Sequence, residues 1–108
     1  MDTDTLKEKI IEKLKEIYDP EIPVNIYDLG LIYEIDCSSQ AEKKVCVVTM
    51  TLTSAGCPVG ESLVGQVANI SYLIAGEENL EVHPHLVFEP QWTQEQMSDD
   101  AKLHLGML

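Results

Sequence analysis

The order of periodic segments along this chain predicts an α+β fold, a two-layer α/β sandwich in which helices pack on a small mixed sheet. Three observations carry that expectation. An amphipathic stretch opens the sequence, two runs with strand character follow, and a second helical stretch precedes a third strand and a short final helix. The chain has 108 residues and is 44% hydrophobic, enough for one domain spanning 1–108 with its own core.

Residues 5–18 carry Leu6, Ile10, Leu14 and Ile17 at helical spacing, with Lys and Glu on the opposite side. Thr5 with Glu8 fits a capping box, and Pro20 disfavours helical geometry at Asp19. Asp19 to Gly30 contains two prolines and a glycine and reads as an ordered loop. Residues 31–37 alternate, placing Leu31, Tyr33, Ile35 and Cys37 on one face and Ile32, Glu34 and Asp36 on the other. Ser38 to Lys44 is polar and reads as a turn. Residues 45–53 are rich in β-branched side chains, with Cys46, Val48, Met50 and Leu52 on one face.

Ser54-Ala55-Gly56-Cys57 breaks the alternation, and a helix is expected from Pro58 to about Ala75. Val59, Leu63, Val67, Ile70 and Ile74 form its apolar face, with Val64 and Leu73 beside it, and Gly76 is a stop signal. Leu80 to Phe88 reads as a third strand with Leu80, Val82, Leu86 and Phe88 inward. Pro84 implies an edge position or a bulge. Thr93 with Gln96 resembles a second capping box, and Ser98 is an alternative cap for the last helix.

The formal net charge is −12, and all seven basic residues are lysines. That balance disfavours nucleic acid and anionic lipid surfaces as partners. No apolar run is long enough to span a bilayer, and the N-terminal residues lack the basic and apolar regions of a signal peptide. A cytoplasmic location is the expectation. The acidity serves solubility, or attracts basic partners or cations.

Three cysteines, Cys37, Cys46 and Cys57, argue against a disulfide framework. Cys46 reads as a small buried hydrophobe and Cys37 as a structural residue at a strand end. Cys57 differs, because Pro58 is favoured at the first helical position and would put Cys57 at the N-cap. The partial positive charge there favours a thiolate, the nucleophilic and metal-binding form. A small turn residue is the other reading. The spacings between the three cysteines match no ferredoxin run or zinc motif, so a cluster bound by Cys57 would need ligands from a second chain, a partner or a small thiol.

His83 and His85 lie two apart on a strand and share a face, which suits either metal binding or simple solvation. His104 has no evident partner. Asp19 and Glu21 flank Pro20 and could act as acid and base, as hard metal ligands, or as a cap and a surface charge. No phosphate loop, HExxH motif or nucleophile elbow is present.

The run Asp19-Pro20-Glu21-Ile22-Pro23-Val24-Asn25-Ile26-Tyr27-Asp28-Leu29-Gly30-Leu31-Ile32-Tyr33 resembles the opening motif of the SufT/PaaD-type iron–sulfur cluster assembly family. Met50-Thr51-Leu52-Thr53-Ser54-Ala55-Gly56-Cys57-Pro58 resembles its cysteine motif, and the run from Phe88 through Trp92 to Leu105-Gly106 is similar as well. The family includes bacterial SufT, the PaaD maturation protein of phenylacetate catabolism, and the eukaryotic subunit that targets clusters to cytosolic apoproteins.

The resemblance implies a non-enzymatic assembly or targeting factor that helps mature iron–sulfur proteins. It implies that Cys57 is the functional thiol and metal ligand, and that Asp19, Glu21 and Thr53 line its pocket. A transient iron–sulfur cluster, shared with a second chain or a partner, would be its cargo. Apoproteins and assembly machinery would be its partners, and a homodimer is compatible with this. An acidic interaction adaptor without cluster handling and a thiol-redox protein are the alternatives. Two features depart from the family pattern. Glu89-Pro90-Gln91-Trp92 has one proline where family members often have two, and Gly76 to His85 shows little of the pattern.

Overall fold

The computed structural model describes residues 2–19, 22–53, 60–74, 76 and 79–107. Helix α1 spans Thr3–Leu14, strands β1 and β2 span Ile32–Gln40 and Lys43–Met50, and helix α2 spans Gly60–Ala68. Strand β3 spans Leu80–Leu86 and helix α3 spans Asp99–His104. The sheet order is β1-β2-β3, with β1 and β2 antiparallel and β2 and β3 parallel. A parallel pair needs a crossover, and the segment carrying α2 supplies it. The expected α+β architecture with a small mixed sheet is therefore the observed one.

Leu6, Ile10 and Leu14 of α1 are fully buried, as their spacing requires. The helix begins earlier than expected because Asp2, not Thr5, is the N-cap. The Thr5 N–H donates to Asp2 Oδ1 at 2.7 Å, so the Thr5–Glu8 capping box does not form at the helix start. That hydrogen bond to the charged form lowers the Asp2 carboxyl pKa. The helix ends at Leu14, before Ile17, which is buried from a following turn rather than from the helix.

The β1–β2 hairpin is tighter than the polar run 38–44 suggests. Gln40 pairs with Lys43, leaving Ala41 and Glu42 as a two-residue turn, with Ala41 at φ 54°. Polar residues 38–40 belong to β1 because cross-strand pairing, not hydrophobicity, holds them. A bulge between Ile32 and Glu34 places Ile32 opposite Met50 on the core side, away from the face it was expected to share with Glu34.

That register sets Cys37 opposite Cys46 on the same face, with Cα atoms 4.0 Å apart, and the two are joined in a disulfide. This corrects the reading of Cys37 and Cys46 as independent structural thiols. A two-residue turn fixes which residues meet across a hairpin, and here it makes the two cysteines direct partners.

Beyond α2, Asn69–Leu73 tightens into a 3-10 turn instead of continuing the helix. Leu63, Val67, Ile70 and Ile74 are buried as expected, whereas Leu73 is exposed. Pro58, Val59 and Ala75, the ends expected for this helix, lie outside the described residues.

In β3, Leu80 and Val82 are buried, but Leu86 and Phe88 are 36% and 45% exposed, so the inward run stops halfway. Backbone groups of the odd-numbered residues face β2. The Lys44 N–H donates to the Asn79 carbonyl, and the Val87 N–H donates to the Met50 carbonyl. Pro84 therefore points its missing donor to the outer edge, where the ladder loses nothing. Both expected caps occur near the C-terminus. Thr93 and Gln96 box the 3-10 turn Gln94–Gln96, and the Ser98 hydroxyl caps α3 by accepting the Ala101 N–H at 3.1 Å.

The disulfide predicts a thiol count. Protein purified in air and denatured without reductant should titrate one thiol, Cys57, and three after reduction. Three thiols before reduction would show that the pair stays reduced.

Candidate functional site

The Asp19–Gly30 loop is tied at both ends. At its start the Ile26 N–H donates to the Ile17 carbonyl at 2.8 Å, and Tyr18 bridges Asn25. Asp19 is buried. Its Oδ1 accepts the Ile22 N–H at 3.2 Å, and its own N–H donates to the Val24 carbonyl at 3.3 Å. Asp19 is thus tied to Ile22 through its carboxylate and to Val24 through its backbone.

Within the loop, Asn25 Oδ1 accepts the Asp28 N–H and Asn25 Nδ2 donates to Asp28 Oδ2. The turn closes with the Gly30 N–H on Tyr27 and the Leu31 N–H on Ile26, the paired bonds of a Schellman motif. Gly30 sits at φ 87°, and a Cβ there would overlap the Gln96 carbonyl. Ile26 and Leu31, the two ends of the motif, are both fully buried.

The C-terminal segment straps this loop from outside. Trp92 Nε1 donates to the Leu29 carbonyl and the Ser98 N–H donates to the Asp28 carbonyl, both at 2.8 Å. Lys15 Nζ lies 5.4 Å from the centre of the Tyr27 ring. Between loop and α3 opens a cavity of about 350 Å³, lined by Tyr18, Pro23, Val24, Asn25, Asp28, Asp100, Ala101 and His104. Proximity of α3 to the loop has no local sequence signal. His104, read as partnerless, therefore shares a cavity with two carboxylates. The Asn25–Asp28 pair enters the sequence reading only as part of the run 19–33, and its one local signal is turn-forming residue types three apart.

Thr53 is half-buried at a bend after β2. The Thr51 N–H donates to the Leu31 carbonyl at 2.9 Å, joining the end of the loop to the exit of β2. Antiparallel pairing puts the start of β1 and the end of β2 at one end of the sheet, so the stems of both expected site segments meet there. Cys57 and Glu21 lie outside the described residues, as does the N-cap geometry expected at Cys57. Cys37 and Cys46 sit on the sheet in their disulfide.

His83 and His85 are exposed, on the sheet face opposite Leu80 and Val82. His83 Nε2 lies 3.0 Å from Glu81 Oε1, and Lys43 Nζ lies 3.0 Å from Glu81 Oε2. Lys43 first, then His83, lowers the Glu81 carboxyl pKa. Among the described residues, no group of three or more His, Cys, Asp or Glu side chains is arranged to hold a metal, and no helix is long and apolar enough to cross a membrane.

These elements define a small α+β fold in which the end of the 19–30 loop and the exit of β2 meet at one end of the sheet. The sequence matches the model of the iron–sulfur cluster assembly protein family over residues 7–82, and the chain belongs to that family. It is 40% identical over 102 residues to an Fe-S protein maturation auxiliary factor of Porphyromonas gingivalis, covering 94% of this chain and 92% of that one. It is 38% identical over 104 residues to the Bacillus subtilis Fe-S protein maturation auxiliary factor YitW, covering 96% and 97%.

Among solved structures, a domain of unknown function from Bacillus anthracis superposes with a TM-score of 0.82 at 32% identity, covering 97% of this chain and 95% of that one. A Mycobacterium tuberculosis protein associated with Fe-S complex assembly and repair matches with a TM-score of 0.51 at 28% identity, covering 98% and 87%.

Two substitutions test how the loop is held. Asp19→Ala should lower unfolding free energy by about 1–3 kcal/mol, because the Ile22 N–H loses its acceptor, while Asp19→Asn should cost less than about 1 kcal/mol. Equal losses in denaturant unfolding would remove this role. Gly30→Ala should cost at least about 2 kcal/mol, from left-handed strain and overlap with Gln96. A negligible shift of the midpoint would show that the strap yields freely.

Proposed function

We propose that this chain is an auxiliary factor in the maturation of iron–sulfur proteins, acting as an adaptor or carrier rather than by turnover, with Cys57 as its working thiol. The observation that carries the reading is near-full-length similarity to factors named for that role. The topology supports it, since the β2–α2 connection bearing Cys57 leaves the same end of the sheet as the loop bearing Asp19 and Glu21. In this reading Asp19, Glu21 and Thr53 flank the thiol, with Asp19 also holding the loop.

Ligand arithmetic limits how a cluster could be carried. A cluster needs about four ligands, usually thiolates. Cys46 is fully buried and bonded to Cys37, so neither is a ready ligand. Cys57 then supplies one ligand, and the rest come from a second copy, an apoprotein, the assembly machinery or a small thiol. The cluster is cargo, not a resident cofactor.

The decisive variant is Cys57→Ser. It should fold with the wild-type circular dichroism spectrum yet fail to restore the activity of iron–sulfur enzymes in cells lacking the protein. Full restoration would overturn the role of Cys57. Iron and sulfide analysis after anaerobic reconstitution separates carrier from adaptor, since a carrier holds Cys57-dependent cluster and an adaptor holds none.

A further inference from the structure

The outward face of the sheet carries residues that this function does not use. On β3, Glu81, His83 and His85 share that face by strand alternation, with the two histidine Cα atoms about 6.6 Å apart at strand rise. Their neighbours on β2 are Val45, Val47 and Thr49, so no cation is paired with either histidine in the register, while Lys43 reaches Glu81. Beyond β2, the same face of β1 carries Glu34, Asp36 and Ser38. Two carboxylates roughly 10 Å away, at twice the strand spacing, favour positive charge over this surface.

The histidines are also held. Odd-numbered backbone groups of β3 face β2, so both histidines lie in the paired ladder rather than on the free edge. Pro84 between them fixes its own φ. The Glu81 carboxylate can only accept, so His83 Nε2 must carry the proton in their 3.0 Å contact. In the neutral ring this leaves the lone pair on Nδ1. Lys43 grips the other oxygen of Glu81 and steadies the arrangement. A carboxylate that orients one ring nitrogen while the other is left to coordinate is the usual support of a metal-bound histidine.

We propose that His83 and His85 form a two-ligand surface site for a divalent transition-metal ion, with Glu81 orienting His83. Imidazole donors suit zinc, copper, nickel and iron. Two protein ligands leave the remaining positions to water or to a group from another molecule. The site does not use Cys57 as a ligand, and it stands whether or not the proposed maturation role does.

The test is zinc titration of the full chain in the Cys57→Ser background, read by competition with a chromogenic chelator. One zinc per chain is expected. His83→Ala and His85→Ala should each weaken binding at least tenfold, and Glu81→Gln about tenfold, the usual effect of losing an orienting carboxylate. Both histidines are exposed, so these variants should keep the wild-type circular dichroism spectrum. Addition of nickel should broaden the imidazole resonances of His83 and His85 selectively. Zinc affinity unchanged by either histidine substitution would overturn the proposal, as would zinc binding that disappears with Cys57 alone.

Discussion

The structure turns on the left-handed residue Gly30. Its conformation lets the loop after α1 end in a Schellman motif, burying Ile26 and Leu31 together and delivering the Leu31 carbonyl to the Thr51 N–H. The same position lies against the Gln96 carbonyl, so the C-terminal strap can close only where no side chain intervenes. Loop, sheet end and strap are thereby fixed relative to one another by one residue that lacks a Cβ. Anything held between the loop and the β2 exit inherits its geometry from that point.

Much of the fold was legible because burial imposes periodicity. The stripe of Leu6, Ile10 and Leu14 and the alternation of Cys46, Val48 and Met50 were read correctly, and Pro84 marked an edge strand. Errors arose where pairing outranked local pattern. Ser38 to Gln40 look like a turn, yet they are strand because Lys43 to Val45 bond to them. Ile32 changes sides through a bulge that alternation cannot reveal. The Cys37–Cys46 disulfide follows from a hairpin register that depends on a two-residue turn with neither glycine nor asparagine in it.

The candidate site was legible to a different degree. Asp19 appeared as one of two carboxylates around a proline, and the structure places it in the loop with its oxygen bound to a backbone N–H, a holding role the residue type alone left open. Trp92 and Ser98 were visible as motif and cap, but their bonds to Leu29 and Asp28 depend on folding the C-terminal segment across the sheet end. Such contacts join residues far apart in sequence and leave no local trace.

The outward direction of Pro84 has a consequence for assembly. An exposed strand invites another chain to extend the sheet, and β3 offers even-numbered backbone groups along its outer side. In the middle of that row the donor is absent, so an added strand would leave one of its own carbonyls unanswered. Sheet extension along this edge is disfavoured by a covalent ring rather than by a covering element. Of the two edges of the three-stranded sheet, the one on β3 is thereby the poorer template for an added strand, by the one hydrogen bond that the ring removes.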